Sequence, residues 1–216
     1  MKLKYKKLVI FITAATMVLS FIILTLIPTG GSNTNNAEDA NLALNENEEI
    51  NQLVKNYFES KKTVDIETMS QYVSDPNRID KEKFSKMAEY VEGYQNINCY
   101  VIESEDTDAY RVYAKYDMKL KNIDTLAPCL SAFYITATSD DKYVIYLSAL
   151  DEAQEEFITS ADKNSEIVDL KEKVAVELQA AIDKDVAFKQ FYQKMDQEIK
   201  AASASGAAAN AGQPLP

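Results

Sequence analysis

Four side chains have the type and placement to share a chemical site: Glu103 and the tyrosines Tyr110, Tyr116 and Tyr134. A carboxylate lodged among apolar side chains has its pKa raised and can work near neutral pH. Phenols facing it bury area yet keep a hydroxyl for a ligand. Their rivals for these roles are few, because none of the 216 residues is a histidine. That excludes Ser-His-Asp and Cys-His systems, histidine metal sites and zincin motifs, and leaves Asp, Glu, Lys, Tyr and Cys as the only acids and bases.

The remaining motifs are weak. Cys99 and Cys129 are too few and too distant in sequence for a zinc site. They form a disulfide in an oxidising compartment, or they are two small buried apolar residues. The stretch "DKNSEIVDLKEK" from Asp162 has some acid spacing of a calcium loop but lacks its central Gly and final Glu. It reads as a helix start capped by Ser165. With five glycines in the chain, no Gly-rich phosphate loop or nucleophile elbow occurs. No metal and no cofactor is expected.

What must position Glu103 and the tyrosines is a set of helices followed by strands. Ile50, Leu53, Val54, Tyr57 and Phe58 recur at helical spacing between Glu46 and Lys61. Ile66, Met69, Tyr72 and Val73 form a second stripe, and Phe84, Met87, Ala88, Val91 and Tyr94 a third, with Asp80 as its N-cap and Gly93 near its end. From residue 110 the period becomes two. Tyr110, Val112, Ala114, Tyr116, Met118 and Leu120 share one face, and Arg111, Tyr113, Lys115, Asp117, Lys119 and Lys121 share a wet outer one. Asp117 then reads as a solvated partner of Lys115 or Lys119. With "INCYVIES", "CLSAFYITAT" and "KYVIYLSAL", this makes four antiparallel strands. The expected fold is α+β: three helices packed on one face of a curved four-stranded sheet.

Only Glu103, at the end of the first strand, has a parity that brings a carboxylate inward. The inward sets of the other strands, with Leu130, Ala132 and Tyr134 taken for the third, contain no ionisable acid. Tyr110, Tyr116 and Tyr134 are the tyrosines expected to face a pocket; the alternative is that tyrosine is simply the strand aromatic of a chain without tryptophan.

The ends set the location. Leu8 to Ile27 is uncharged and long enough, at roughly 20 residues, to cross a hydrocarbon core of about 30 Å. A cleaved signal peptide is the rival, but Pro28-Thr29-Gly30-Gly31 follows without an Ala-x-Ala site. Lysines 2, 4, 6 and 7 precede the span, so residues 1–7 are expected in the cytoplasm and the rest outside, as a single-pass membrane protein. Residues 28–45 read as a flexible tether, 46–150 as the folded domain, 151–200 as a C-terminal helical extension and 201–216 as a disordered tail. In the extension, Ile167, Leu170, Val174, Leu178 and Ile182 mark one helix and Phe188, Phe191, Tyr192, Met195 and Ile199 another, broken at Asp185, which is a candidate cap. These helices are expected to cover the open side of the domain, the alternative being an exposed partner-binding hairpin. A net charge of −11, with four of the lysines in the first seven residues, argues against nucleic acid as a partner.

Helix, short helix, helix, then long strands joined by a turn with proline resembles the cone-shaped fold of the nuclear transport factor 2-like superfamily. "INQLVKNYFESKKTVDIETMSQYVS" looks like the opening of its bacterial members, and "YDMKLKNIDTLAPCL" like the second and third strands of membrane-anchored members. The resemblance covers about residues 46–150 and is at the level of fold. The superfamily holds enzymes, with a carboxylate inside the cone opposite tyrosines, as well as transport adaptors and assembly domains, so the fold does not choose among them. The expected function is a non-catalytic, membrane-anchored, extracytoplasmic interaction or assembly module that meets a protein partner or a second copy of itself. The alternative is a small-molecule-binding or isomerase/lyase-type domain using a tyrosine-lined cavity.

Overall fold

The computed structural model describes residues 43–210. The span expected over residues 8–27 and the last six residues lie outside the described ones. Among the described residues no helix is long and apolar enough to cross a membrane.

A two-residue strand, β1 (Ala43–Leu44), lies in what reads as tether and pairs with the sheet edge. Helix α1 (Glu48–Thr63) follows. Asn47 caps it by accepting from the Ile50 amide at 3.0 Å, Glu48 and Glu49 sit in its first turn, and Lys61 and Lys62 in its last, all favourable to the helix dipole. Its stripe, from Ile50 to Phe58, is buried as the spacing predicts. The helix stops at Val64, whose φ of 55° is left-handed and costly for a β-branched residue. Short helix α2 (Ile66–Ser70) and a 3-10 turn (Pro76–Arg78) lead to α3 (Lys81–Tyr90), capped by Asp80 as expected. Gly93 lies in a strand and does not end this helix, which stops at Tyr90.

Strands β2 (Val91–Glu103), β3 (Ala109–Leu120), β4 (Ala127–Ala137) and β5 (Tyr143–Ile145) then form an antiparallel meander in sequence order, with β1 on the β2 edge. Register shifts between Val91 and Gly93 and between Gln95 and Asn98 place irregularities in β2, the device by which strands bend. The β3–β4 corner turns at Asn122, with φ 62°. Pro128 follows inside β4, opposite Asp117. Tyr134, of the same parity, accepts from the Tyr146 amide on the side away from β3. Pro128 therefore turns its ring nitrogen away from the β3 ladder, where no donor is missed.

Three C-terminal helices complete the body: α4 (Glu152–Asp162), α5 (Ser165–Lys184) and α6 (Val186–Asn210). The cap of α5 is Asn164, which accepts from the Glu166 and Ile167 amides, and not Ser165. Helix α6 runs to Asn210, well into the stretch expected to be disordered.

The largest departure from expectation concerns the sheet's outer face. It is not wet. Tyr113 and Leu130 of that face are buried together with Ile102, Ala161, Ile167, Leu170 and Val174, beneath α4 and α5. Helices thus lie on both faces of the sheet, α1 on the inner and α5 on the outer, and the C-terminal helices cover the outer face where the open side was expected. Further along, Leu178, Ile182 and Phe188 join the main core, and Phe191 packs against Tyr90 at 6.0 Å. Asp185 caps α6 through the Ala187 and Phe188 amides and also accepts from the Thr125 amide at 3.3 Å, so the β3–β4 corner is tied to the α5–α6 break. Those bonds, led by the Phe188 amide, hold the Asp185 carboxyl below the usual carboxylate range.

Candidate functional site

Glu103, Tyr110, Tyr116 and Tyr134 do not converge. They fall in three separate places. Glu103 and Tyr110 face each other across the β2–β3 pair at the rim of the sheet, and the Tyr110 hydroxyl donates to Glu103 Oε1 at 3.3 Å. Glu103 has the inward parity expected of it, yet it is solvent-exposed. Tyr143 closes the group from β5, with its ring 5.4 Å from that of Tyr110 and the two hydroxyls 3.4 Å apart. That hydroxyl contact, then burial, raises the Tyr110 phenol well above its ordinary pKa. The rim opens into a cleft of about 540 Å³ lined by Glu46, Asn47, Glu48, Glu49, Val101, Glu103 and Tyr110. Its carboxylates give it a negative field, and Glu48 and Glu49 also serve the α1 dipole.

Tyr116 lies in the interior, where the inner face of the sheet is packed ring on ring. Phe58 sits 4.6 Å from Tyr116, 4.9 Å from Tyr94 and 6.1 Å from Phe133, and Tyr57 sits 5.9 Å from Phe133. These tilted and edge-on arrangements are the favourable ones for aromatic quadrupoles. The Tyr116 hydroxyl is 3.2 Å from Ser131 Oγ, and burial pushes its phenol far above the usual value. Such a hydroxyl is a fixed hydrogen-bonding group, since its anion is inaccessible at any ordinary pH.

Tyr134 points the other way. Pairing of Arg111 with Tyr134, Tyr113 with Ala132 and Lys115 with Leu130 puts Leu130, Ala132 and Tyr134 on the outer face, while Cys129, Ser131, Phe133 and Ile135 take the inner one. The inward parity assigned to β4 is therefore reversed, because both its faces are covered and "CLSAFYI" carries no polar alternation to orient it. Tyr134 instead packs on Tyr146 at 5.7 Å and Phe157 at 6.2 Å.

Cys99 and Cys129 are both free and buried. They sit on β2 and β4 with β3 between them, opposite Ala114 and Tyr116. Two interstrand steps, with an offset of two residues along β3, separate their backbones by more than roughly 9.5 Å, beyond the about 7 Å that a disulfide tolerates. Burial raises the Cys99 thiol to about 11 and the Cys129 thiol to about 12, so both are poor nucleophiles.

Two functional groups escape a reading of the sequence. Lys61, on α1, is 5% exposed, and its Nζ lies over three rings: Tyr94 at 5.0 Å, Phe58 at 5.2 Å and Phe84 at 5.9 Å. Burial pulls its pKa down to about 7, with Lys83 adding a like charge. A Cys129 thiolate would favour the ammonium, but a thiol held to about 12 is neutral wherever Lys61 titrates. The inner side of the domain thus does contain a group able to exchange a proton near neutrality, besides the Glu103 that strand parity turns inward. The signal was available: position 61 continues the Leu53, Tyr57, Phe58 stripe at i+3 and i+4.

Asp162 is the other. It accepts from Arg111 Nε at 3.0 Å and Nη2 at 3.1 Å, and from the Tyr113 hydroxyl, while Lys171 Nζ reaches its carbonyl at 3.1 Å. Burial first, and then the Asp162 carboxylate, raise the Tyr113 phenol. Beside this network Lys115 pairs with Glu177 at 2.7 Å. Asp117, expected to pair with a lysine, accepts from Asn96 Nδ2 at 2.7 Å instead. Among the described residues no group of three or more carboxylates and thiols is arranged to hold a metal ion.

No protein-family model, no curated protein and no solved structure matches this chain. Its class therefore rests on its own architecture: an α+β domain with an antiparallel meander, helices on both faces and an interior packed with aromatic rings.

Proposed function

We propose that this chain is a non-catalytic interaction or assembly module, held by residues 8–27 to the outer side of a cell membrane and acting through its surface on a protein partner or on a second copy of itself. The observation that carries this reading is the aromatic packing of the concave face. Enzymes of the nuclear transport factor 2-like fold, which the sequence resembles, keep a carboxylate and a substrate hollow there. In this chain Phe58, Tyr94, Tyr116 and Phe133 occupy that space, and the nearest carboxylate with inward parity, Glu103, is solvent-exposed at the rim. Apolar side chains on the outside, Val168 and Val176 on α5 and Val186 at the start of α6, supply contact area for a partner.

The test is photo-crosslinking in cells, with a photoreactive amino acid replacing Val176 or Val186 of the full chain. A defined adduct with one other membrane or exported protein, or with the chain itself, is the expected result. No adduct from either position, together with thermal stabilisation by a small metabolite, would overturn it.

A second reading, a small-molecule-binding or isomerase/lyase-type domain, is favoured by one observation, the Lys61 amine beside Tyr94 on the inner side. A ligand acting there would be displaced or weakened by Lys61→Met but untouched by Tyr134→Phe on the opposite face.

A further inference from the structure

We propose that β1 is a guard strand, latched through Asn45 over the regular part of the β2 edge, and that its release lets two copies of the chain pair edge to edge through β2. The route rests on the reading of the chain as an assembly module and says how a second copy joins it. An open sheet edge offers unpaired N–H and C=O groups to any extended chain, so folded proteins cover or distort their edges. Both devices are present here. Beyond β5 the edge is taken by Tyr72 and Ser74: the Ile145 amide donates to the Tyr72 carbonyl at 2.9 Å, and the Ser74 amide to the Ile145 carbonyl at 2.9 Å. On the opposite side, β2 is irregular as far as Asn98, with Asn96 left-handed at φ 52° and its carbonyl taken by Asn98 Nδ2 at 2.9 Å. From Asn98 to Glu103 the register is regular, and the run "NCYVI" carries no charge to keep a second strand away. What covers that stretch is β1, opposite Tyr100 and Val101.

The guard is held chiefly at one residue. Leu44 adds little packing, being 49% exposed. Asn45 turns left-handed, at φ 54°, so its carbonyl leaves the ladder and accepts instead from Asn51 Nδ2 of α1 at 2.9 Å. Its side chain takes the vacated place. The Asn45 amide donates to the Cys99 carbonyl at 2.8 Å, Oδ1 accepts from the Cys99 amide at 2.8 Å, and Nδ2 donates to Asn98 Oδ1 at 3.0 Å. A single asparagine, the residue type that tolerates this backbone best after glycine, thereby ties β1 to β2 and to α1.

With β1 displaced, a second β2 fits by symmetry. Antiparallel pairing with Tyr100 opposite its own copy sets Val101 of one chain against Cys99 of the other, in the places that Asn45 and Ala43 hold now. The ladder then continues to Asn98 against Ile102, and Glu103 meets Ile97, so no charge faces a like charge. Opposing the pair is the repulsion between two chains of net charge −11, which salt screens. Release and pairing form one equilibrium, so the dimer grows with the density of the chain.

The experiment compares the full-length chain in detergent with two variants. Asn45→Gly keeps the left-handed turn but removes both side-chain hydrogen bonds, and Leu44→Cys with Tyr100→Cys places a disulfide across a facing pair and fixes β1 in position. Losing two hydrogen bonds should raise the open population about tenfold or more, read as faster hydrogen exchange at the Val101 amide while the Leu170 to Leu178 amides of α5 stay as they were. In analytical ultracentrifugation Asn45→Gly should shift toward dimer by a similar factor, more so at high salt, and the disulfide-fixed variant should remain monomeric. Tyr100→Cys added to Asn45→Gly should give a covalent dimer on oxidation. The proposal is overturned if Val101 exchange is unchanged in Asn45→Gly, or if that variant opens and yet stays monomeric. It is overturned too if the disulfide-fixed variant dimerises as readily as the unaltered chain, a result that moves self-association to another surface and leaves the assembly reading standing.

Discussion

Replacing Asp162 by alanine tests what holds the C-terminal helices on the sheet. The change strips three hydrogen bonds at once, two from Arg111 and one from Tyr113. Tyr113 is wholly buried and keeps a hydroxyl with no acceptor, a loss of about 1–3 kcal/mol. Arg111, whose side chain is 13% exposed, keeps a charge that has lost its bidentate carboxylate. A fully buried broken pair costs about 3–5 kcal/mol, but Asp162 is 34% exposed and water can enter, which reduces the penalty. Taking both effects as overlapping, Asp162→Ala should cost about 3 kcal/mol. With a urea dependence of roughly 2 kcal/mol per molar, the unfolding midpoint should fall by about 1.5 M. Asp162→Asn, which keeps an oxygen for Tyr113, should cost about half as much, and the exposed Asp183→Ala should leave the midpoint nearly where it is. Urea titrations followed by far-ultraviolet circular dichroism give all three numbers. If Asp162→Ala moves the midpoint no more than Asp183→Ala, the outer face is not sealed by this network.

Three further outcomes follow from individual residues. The folded-state pKa of Lys61 is lowered, so stability should be least at and below pH 7 and rise with pH toward 9.5, before tyrosine ionisation in the unfolded chain reverses it. Lys61→Met should flatten that rise; a variant with an unchanged pH profile would contradict this. Val64→Gly should relieve the left-handed strain at the end of α1 and gain about 0.5–1 kcal/mol in thermal or urea unfolding, and a loss of similar size would refute it. In mass spectrometry after iodoacetamide at pH 8, neither thiol of the native chain should be labelled and both should be labelled in denaturant without reductant; absence of label in denaturant would mean that Cys99 and Cys129 are bridged.

Elements whose two faces differ in polarity were legible in the sequence. The α1 stripe, the Asp80 cap and the inward set of β3 from Tyr110 to Leu120 all stand where their spacing puts them. Where both faces are apolar the same logic has nothing to work on. Strand β4 is apolar on each side, so its parity was taken backwards and Tyr134 was assigned to the wrong face. Charged residues on β3 read as wet because the helix that covers them is remote in sequence: Arg111 meets Asp162 across 51 positions, and no local pattern announces such a pair. Lys61 was overlooked for a different reason. A lysine is expected in solvent, and only its place on the apolar stripe, followed one turn further, says otherwise.

If an acidic body with a filled interior works outside the membrane, its location is the first thing to measure. Intact cells making the full-length chain can be treated with a membrane-impermeant amine reagent and the modified lysines identified by mass spectrometry. Exposed Lys173 and Lys184 are expected to be labelled on intact cells, and buried Lys61 only after denaturation. Labelling of Lys173 and Lys184 only after the cells are permeabilised would place the domain on the cytoplasmic side and contradict the account.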